Sequence, residues 1–414
     1  MNKNQIARFL MVSNSSGNTY QTLVLGGNNS SAYLTSGQAY IVQNPGSTTT
    51  DLTVWFRNTA YIFGDINVTV SGTNSTVSYA FSTSNSNLTI TGNANTILNF
   101  AGTVNAAHSV GDTFINVNGT LHTGAYSSFI GADNATIVSG AKSQFLKCTD
   151  SSIVTGSDSV FDTFSNGTIN AGLKTIANVI SESTVTLGRN SSVITLTDST
   201  LTTDGTGTAV GALKNSQVNW STDANGDFTS GGYGTFYVTG SIQGTNHIQG
   251  QSVSASFGNM DSAAKLILDV WGAGSRINGG TGSQSVTQKG SGALTFISAA
   301  NNTGIFTAVG GTGGDTFKAY SSMNMTGGAG SANTFDIIKS AAGATDTISD
   351  FTASAGNIIE LSGFGLTQTT LGSILDHATV SGTGTLLQID SRTSVMLNNV
   401  SENNPLQIGN FKIS

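Results

Sequence analysis

The chain has little charge. Of 414 residues, 15 are Lys or Arg and 22 are Asp or Glu, 9% together, against roughly 25% in an ordinary soluble domain. That excludes a long helical protein held by salt bridges. Fifteen cations spread thinly also leave no basic stripe to neutralise phosphates, which argues against nucleic acid as a partner. Two prolines exclude collagen and Pro-rich linkers. The one cysteine, Cys148, can form no internal disulfide and has no CxxC spacing, so it reads as a buried or idle thiol. No stretch approaches the ~20 apolar residues of a membrane span. Residues 1–12 carry two positive charges, but their apolar run covers only residues 9–12, short of the roughly 7 to 15 apolar residues of a secretory signal. That end alone reads as cytoplasmic, and the carboxyl end points elsewhere.

What is abundant is small and polar. Glycine contributes 52 residues, hydrophobic residues make up 37%, and much of the remainder is Ser, Thr and Asn. Ser and Asn side chains compete for the backbone and disfavour helix, whereas Thr, Val and Ile suit strands. The composition therefore predicts an all-β protein with a thin core. Its net charge of -7, combined with Asn, Asp and Gly turns, is compatible with calcium, which prefers oxygen ligands.

A repeat organises the middle of the chain. Leu121, Ile137, Ile153, Ile169, Val185 and Leu201 are evenly spaced, each sixteen positions after the one before. Three residues after the first five stand Gly124, Gly140, Gly156, Gly172 and Gly188, and the series closes at Asp204-Gly205. Three residues before come Asn118, Asn134, Asp150, Asn166, Glu182 and Asp198; immediately before come Thr120, Thr136, Ser152, Thr168, Thr184 and Thr200. A second apolar column, Phe129, Phe145, Phe161, Ala177 and Val193, sits half a period on, two residues after Ser127, Ser143, Ser159, Thr175 and Ser191.

Such a unit is too small to bury its own apolar face and must stack on its neighbours. The expected fold is a right-handed parallel β-solenoid with about 16 residues and two strands per coil. Ile and Phe columns point inward, Thr and Ser outward at strand period two. The Asn and Gly columns make the corners, because both residues tolerate left-handed backbone. Weaker echoes place the solenoid over residues 61–270. Residues 1–60 look strand-like, as in Thr22-Leu23-Val24-Leu25 and Leu52-Thr53-Val54-Trp55-Phe56, but lack the period. They read as a cap or coupling segment.

The register changes after residue 270. Gly310-Gly311-Thr312-Gly313-Gly314-Asp315-Thr316-Phe317-Lys318 fits the nonapeptide G-G-x-G-x-D-x-U-x at every specified position. Gly327-Gly328-Ala329-Gly330-Ser331-Ala332-Asn333-Thr334-Phe335 repeats it with Asn one place late, and Gly279-Gly280-Thr281-Gly282-Ser283-Gln284 has Gln where Asp belongs. These segments resemble the calcium-binding repeats of RTX proteins. The resemblance implies a degenerate RTX-like β-roll over residues 271–345 and one or two calcium ions held by Gly311, Gly313, Asp315 and Asn333. Further on, Asp346-Thr347-Ile348-Ser349-Asp350-Phe351 and Asn357-Ile358-Ile359-Glu360-Leu361-Ser362-Gly363-Phe364 resemble the closing D-x-I-x-D-F … D-x-I-D-L-S-G-F stretch of RTX proteins exported by type I secretion systems. Asn357 and Glu360 stand where that family commonly has Asp. After it follow a helix candidate at Ile374-Leu375, a strand at Leu386-Leu387-Gln388-Ile389, Val395-Met396-Leu397, and a terminal Asn410-Phe411-Lys412-Ile413-Ser414. The resemblance implies a type I secretion module at residues 346–414, the secretion machinery as a partner, and a bacterial protein that is secreted or held at the cell surface.

Signs of catalysis are few. His108, His122, His247 and His377 show no H-E-x-x-H or other metal spacing, and no carboxylate pair for glycoside chemistry stands out. The leading reading is a non-enzymatic extracellular structural protein that self-assembles as a surface layer, biofilm matrix filament or adhesin shaft. A cell-surface glycan is a further candidate partner. Two alternatives remain open. One is a β-solenoid polysaccharide lyase or epimerase carrying the same export module. The other is an ice- or surface-binding adhesin using outward Thr pairs such as Thr184/Thr186 and Thr200/Thr202.

Overall fold

The computed structural model describes residues 86–203 without a break, and 265–414 except 272–273, 331, 353–354 and 403–404. Elsewhere it describes 8–13, 19–24, 31–34, 39–43, 50–54, 59–63, 66–82, 208–220, 236–238, 242–250 and 253–256. The Asp204-Gly205 pair, Leu25, Trp55, Phe56, Ser331 and the first seven residues lie outside the described residues. The fold is nearly all β, a parallel β-solenoid of about 14 turns. It divides into two compact units, Met1–Ser191 and Ser192–Ser414.

In the first unit the sequence period becomes strand register. Phe129 lies opposite Phe145, Phe145 opposite Phe161, and Phe161 opposite Ala177, all in parallel pairing. On the other face Leu121, Ile137, Ile153, Ile169 and Val185 follow one another in the same way. All of these side chains are buried. Strands about 4.8 Å apart bring like side chains into contact. The rings of Phe114, Phe129, Phe145 and Phe161 therefore stack with centroid separations of 5.2, 4.9 and 4.6 Å and interplanar angles of 13°, 2° and 8°.

Two further columns point inward. Ala132, Cys148, Phe164 and Ile180 are buried, three places after the Phe column. Between Phe145 and Cys148 both Leu146 and Lys147 face out. This bulge breaks period two and restores the inward direction one residue late. The second column is polar. Ser127, Ser143, Ser159, Thr175 and Ser191 are buried, and each hydroxyl donates to the carbonyl three residues earlier, on Gly124, Gly140, Gly156, Gly172 and Gly188, at 2.6–3.0 Å. At the opposite corner Ser151 donates to Thr149 O at 2.6 Å. The hydroxyls thus close the corners and leave few interior carbonyls unpaired.

The corners correct one expectation. Asn134, Asp150, Asn166 and Glu182 are left-handed, with φ of 49°, 49°, 53° and 48°, as their column predicts. The glycine column is not left-handed. At that corner the left-handed residues come two places later, at Tyr126, Lys142, Asp158, Lys174 and Asn190, with φ between 57° and 60°. Glycine is required by close approach instead. A Cβ on Gly140, Gly156 or Gly172 would lie 2.5, 2.7 or 2.7 Å from the backbone N of Ala125, Ala141 or Ser157 in the preceding coil.

The same two-face stacking extends through residues 19–63. Ala39–Gln43 pairs in parallel with Thr59–Phe63, and Ser31–Leu34 with Thr50–Val54. More chain separates Ala39 from its partner Thr59 than separates Thr50 from its partner Ile66. This unequal spacing hides the period in the sequence.

In the second unit one face runs through Gln284–Gln288, Phe306–Val309, Met323–Thr326, Ala344–Ile348 and Thr393–Asn398. The other runs through Ser275–Asn278, Leu294–Ile297, Thr316–Ala319, Thr334–Ile338, Ile358–Ser362 and Phe411–Ile413. Phe296, Phe317 and Phe335 form another stack, 5.1 Å between successive centroids. Thr316 faces Thr334, two nonapeptides further along the chain. Beyond residue 362 the helix Gln368–Asp376 starts at Thr367, whose side chain accepts the N–H of Thr370, and buries Leu371. Gly384–Gln388 then folds antiparallel onto Thr393–Asn398.

Candidate functional site in the glycine-rich turns

The turn before Thr316–Ala319 is built around Asp315, which is 1% exposed. Its Oδ1 accepts the N–H of Leu294 at 2.8 Å, and Oδ2 accepts the N–H of Gly311 at 3.0 Å. A Cβ on Gly310 would lie 2.3 Å from that Oδ2, so the glycine lets the carboxylate fold back over its own turn. Gly311 and Gly313 sit against the preceding coil, where a Cβ would meet the carbonyl oxygens of Gly290 and Gly292 at 2.1 and 2.7 Å. Asn333, 2% exposed, accepts the N–H of Asp315 on Oδ1 at 2.8 Å, and its own N–H reaches Asn357 Oδ1 at 2.8 Å. The four residues singled out by the nonapeptide therefore gather at one corner of adjacent coils.

The Asp315 and Asn333 side chains share one role, acceptance of backbone N–H groups. Gln284, in the Asp position of the third repeat, makes the matching turn bond: its Oε1 accepts the N–H of Gly280 at 3.0 Å. An uncharged side chain thus reproduces the Asp315–Gly311 contact. The D-x-I-x-D-F stretch follows the same rule. Asp346 Oδ1 accepts the N–H of Met323 at 2.9 Å, and Asp350 accepts those of Gly327 and Gly328 at 2.7 and 2.8 Å. Glu360 is paired with Lys412 at 2.9 Å, fastening Phe411–Ile413 to Ile358–Ser362. The hydrogen bond from Lys412 holds the Glu360 carboxyl below its ordinary range.

Burial raises three acids that face no cation, Asp315, Asp346 and Asp112. Desolvation lifts Asp315 to about 6 against the opposing pull of the Leu294 and Gly311 N–H groups, and lifts Asp346 to about 7. Asp346 Oδ2 is buried without a hydrogen-bond partner. Asp112, in the first unit, is also raised by desolvation; it accepts the N–H of Asn95 at 2.8 Å and the hydroxyl of Ser109.

Calcium takes six to eight oxygens. Asp315 and Asn333 offer oxygens of the kind calcium takes, with one formal charge, but both Asp315 oxygens and Asn333 Oδ1 each already accept an N–H. A cation would meet an undercompensated carboxylate there, in competition with the two N–H groups that Asp315 now accepts. Among the described residues no group of three or more His, Cys, Asp and Glu gathers as a metal cluster.

His108, His122, His247 and His377 are exposed, and His377 Nδ1 lies 2.7 Å from Ser373 O at the helix end. Cys148 is buried and its thiol is pushed up to about 12 by desolvation, which leaves little reactive thiolate. Among the described residues no helix is long and apolar enough to cross a membrane. No protein-family model matches the chain, and no curated protein matches it.

Proposed function

We propose that the chain is a secreted structural protein of a bacterium, assembling outside the cell as a layer or filament and exported by a type I system through residues 346–414. The observation that carries this reading is the way stability is distributed. Among the described residues, corner amides such as those of Asn95, Ala135 and Thr175 are satisfied by side chains of the next coil, and the apolar columns are buried on their neighbours, as in stacked repeat scaffolds. Outward side chains form polar ladders, with Thr149 to Asp133 at 2.6 Å, Thr168 to Ser152 at 2.9 Å and Asn178 to Asp162 at 2.9 Å. Such a surface suits a durable support better than a single reactive centre. Export rests on the resemblance of residues 346–364 to the closing stretch of RTX proteins, and calcium, one or two ions, on Asp315 and its turn.

Electron microscopy of cell surface and culture medium tests the assembly: ordered arrays or fibres are expected, and dispersed monomers alone would overturn it. For export, residues 346–414 fused to a passenger should carry it into the medium in cells with a type I system. Retention of that passenger would remove the secretion reading and leave the assembly reading standing.

A further inference from the structure

The first unit changes coil type, and the change leaves a groove. In three successive coils the outward bulge is made by a left-handed residue: Asn99 at φ 54°, Asn116 at 54° and Gly131 at 77°. In the next coil the bulge is Leu146-Lys147, with no left-handed residue. The register records the switch. Ile115 lies opposite Ile130, but Ile130 lies opposite Lys147, with irregularities on both sides, before Lys147 to Thr163 becomes regular again. The adjoining corner changes over the same coils. Asn118 alone separates Val117 from Gly119, whereas Asp133 and Asn134 separate their partners Ala132 and Ala135.

A groove of about 540 Å3 opens at this junction, lined by Asn116, Asn118, Gly131, Asp133, Lys147 and Thr149, with Val117 and Ala132 at its base. The volume falls within the ~300–1,000 Å3 of small-ligand sites. Bulges are a recurrent means of re-aiming side chains at such sites. Here Gly131 contributes no side chain, and the Oδ1 of Asn116 lies 2.9 Å from where its Cβ would be. The polar groups are set for use. Thr149 Oγ1 donates to Asp133 Oδ1 at 2.6 Å and fixes that carboxylate, and Asn116 Nδ2 donates to Asn99 Oδ1 at 3.1 Å, which orients the amide.

We infer that this groove binds pyranose units of a glycan. Each sugar hydroxyl both donates and accepts, and within one groove it would find a carboxylate acceptor in Asp133, a donor in Lys147 and amides in Asn116 and Asn118. One ammonium beside one carboxylate does not suit a polyphosphate. Apolar lining comes from Val117 and Ala132 alongside five polar side chains, which suits a ligand that is both polar and apolar, such as a sugar, better than a wholly hydrophobic one. The inference supplies a place of attachment for the extracellular reading above, but does not require self-assembly.

The test uses the full-length protein with two probes, a neutral β-glucan hexasaccharide and a hexuronate hexasaccharide, by saturation-transfer NMR. Light scattering of the same samples records the oligomeric state, so loss of assembly and loss of binding are scored separately. Transfer to at least one sugar is expected. Lys147→Ala should weaken the hexuronate at least tenfold and Asp133→Ala the neutral sugar at least tenfold, with melting temperatures unchanged. Lys147→Ser and Asp133→Ser serve as second variants if an alanine variant does not fold. No transfer to either sugar, or binding by the double variant equal to the parent, would overturn the site.

Discussion

Asn333 accepts the backbone N–H of Asp315 from one coil further along the chain, at 2.8 Å. The same relationship recurs with other residue types. Asp112 serves Asn95, Asn95 serves Ser75, Ser151 serves Ala135, Ser191 serves Thr175, Asn246 serves Ser216 and Gln288 serves Val270. A polar side chain turned inward at a corner is thus a link between successive coils, and its charge is incidental to that task.

Asp315→Ala should cost about 2 to 3 kcal/mol, because the N–H groups of Leu294 and Gly311 lose their acceptors in a buried turn. Calcium should raise the melting temperature of the parent by linkage and leave the variant unmoved. Denaturation with and without calcium measures both. An equal calcium shift in the two proteins would place the ion elsewhere.

Stability should fall as pH rises from about 4 to about 7 in calcium-free buffer. Asp346 titrates near 7 when folded and near the ordinary carboxylate value when unfolded. Between those values the folded state binds more protons, so acid favours it, and the advantage disappears once pH passes the folded value. Asp315 titrates in the same direction. The whole effect amounts to a few kcal/mol. Urea midpoints at pH 5 and 8 test it, and Asp346→Asn should flatten the slope. A parent more stable at pH 8 than at pH 5 would contradict the assignment.

Gly156→Ala should destabilise by steric conflict with Ala141, whereas Lys174→Gly should stabilise by roughly 1 kcal/mol by relieving a left-handed lysine. Thermal melts of the two variants should move in opposite directions.

Tyr79 carries a buried hydroxyl with no hydrogen-bond partner, and desolvation raises its pKa. Its ring meets Phe100 edge-on at 4.8 Å. Tyr79→Phe keeps that contact and removes the unpaired group, so it should be neutral or stabilising by about 1 kcal/mol. A loss of more than about 1 kcal/mol would reveal a partner for the hydroxyl.

The columns through Ile137 and Phe129 were legible because a strict sequence period and a parallel register are the same statement. The Cys148 column was not, since the Leu146-Lys147 bulge shifts the inward direction by one residue. Ser127 and its equivalents looked solvent-facing by residue type, yet they stand two residues from the Phe column and share its side. Left-handed backbone was assigned to Gly156 rather than Asp158 because residue preference cannot distinguish a torsional need from close approach. In the glycine-rich turns the spacing between Asp315 and Asn333 is legible, since it sets the two on adjacent coils. It could not show that Asp315 points at amides, because the partner N–H of Leu294 belongs to another coil. The groove at Gly131 left one trace: Phe114 stands one position closer to its partner Phe129 than Phe129 does to Phe145.

Left-handed residues recur every eight positions from Tyr126 to Asn190, so each coil between those residues is two nearly equivalent halves joined at the same torsion. The length of this region is therefore an adjustable quantity. Excising residues 144–159 would bring Asp133 and Asn134 into the chain context that Thr149 and Asp150 now occupy, with Phe129 set directly beneath Phe161. A whole coil can be removed or added in register, whereas a one-residue change has to be absorbed at a bulge or corner, as it is between Val117–Gly119 and Ala132–Ala135.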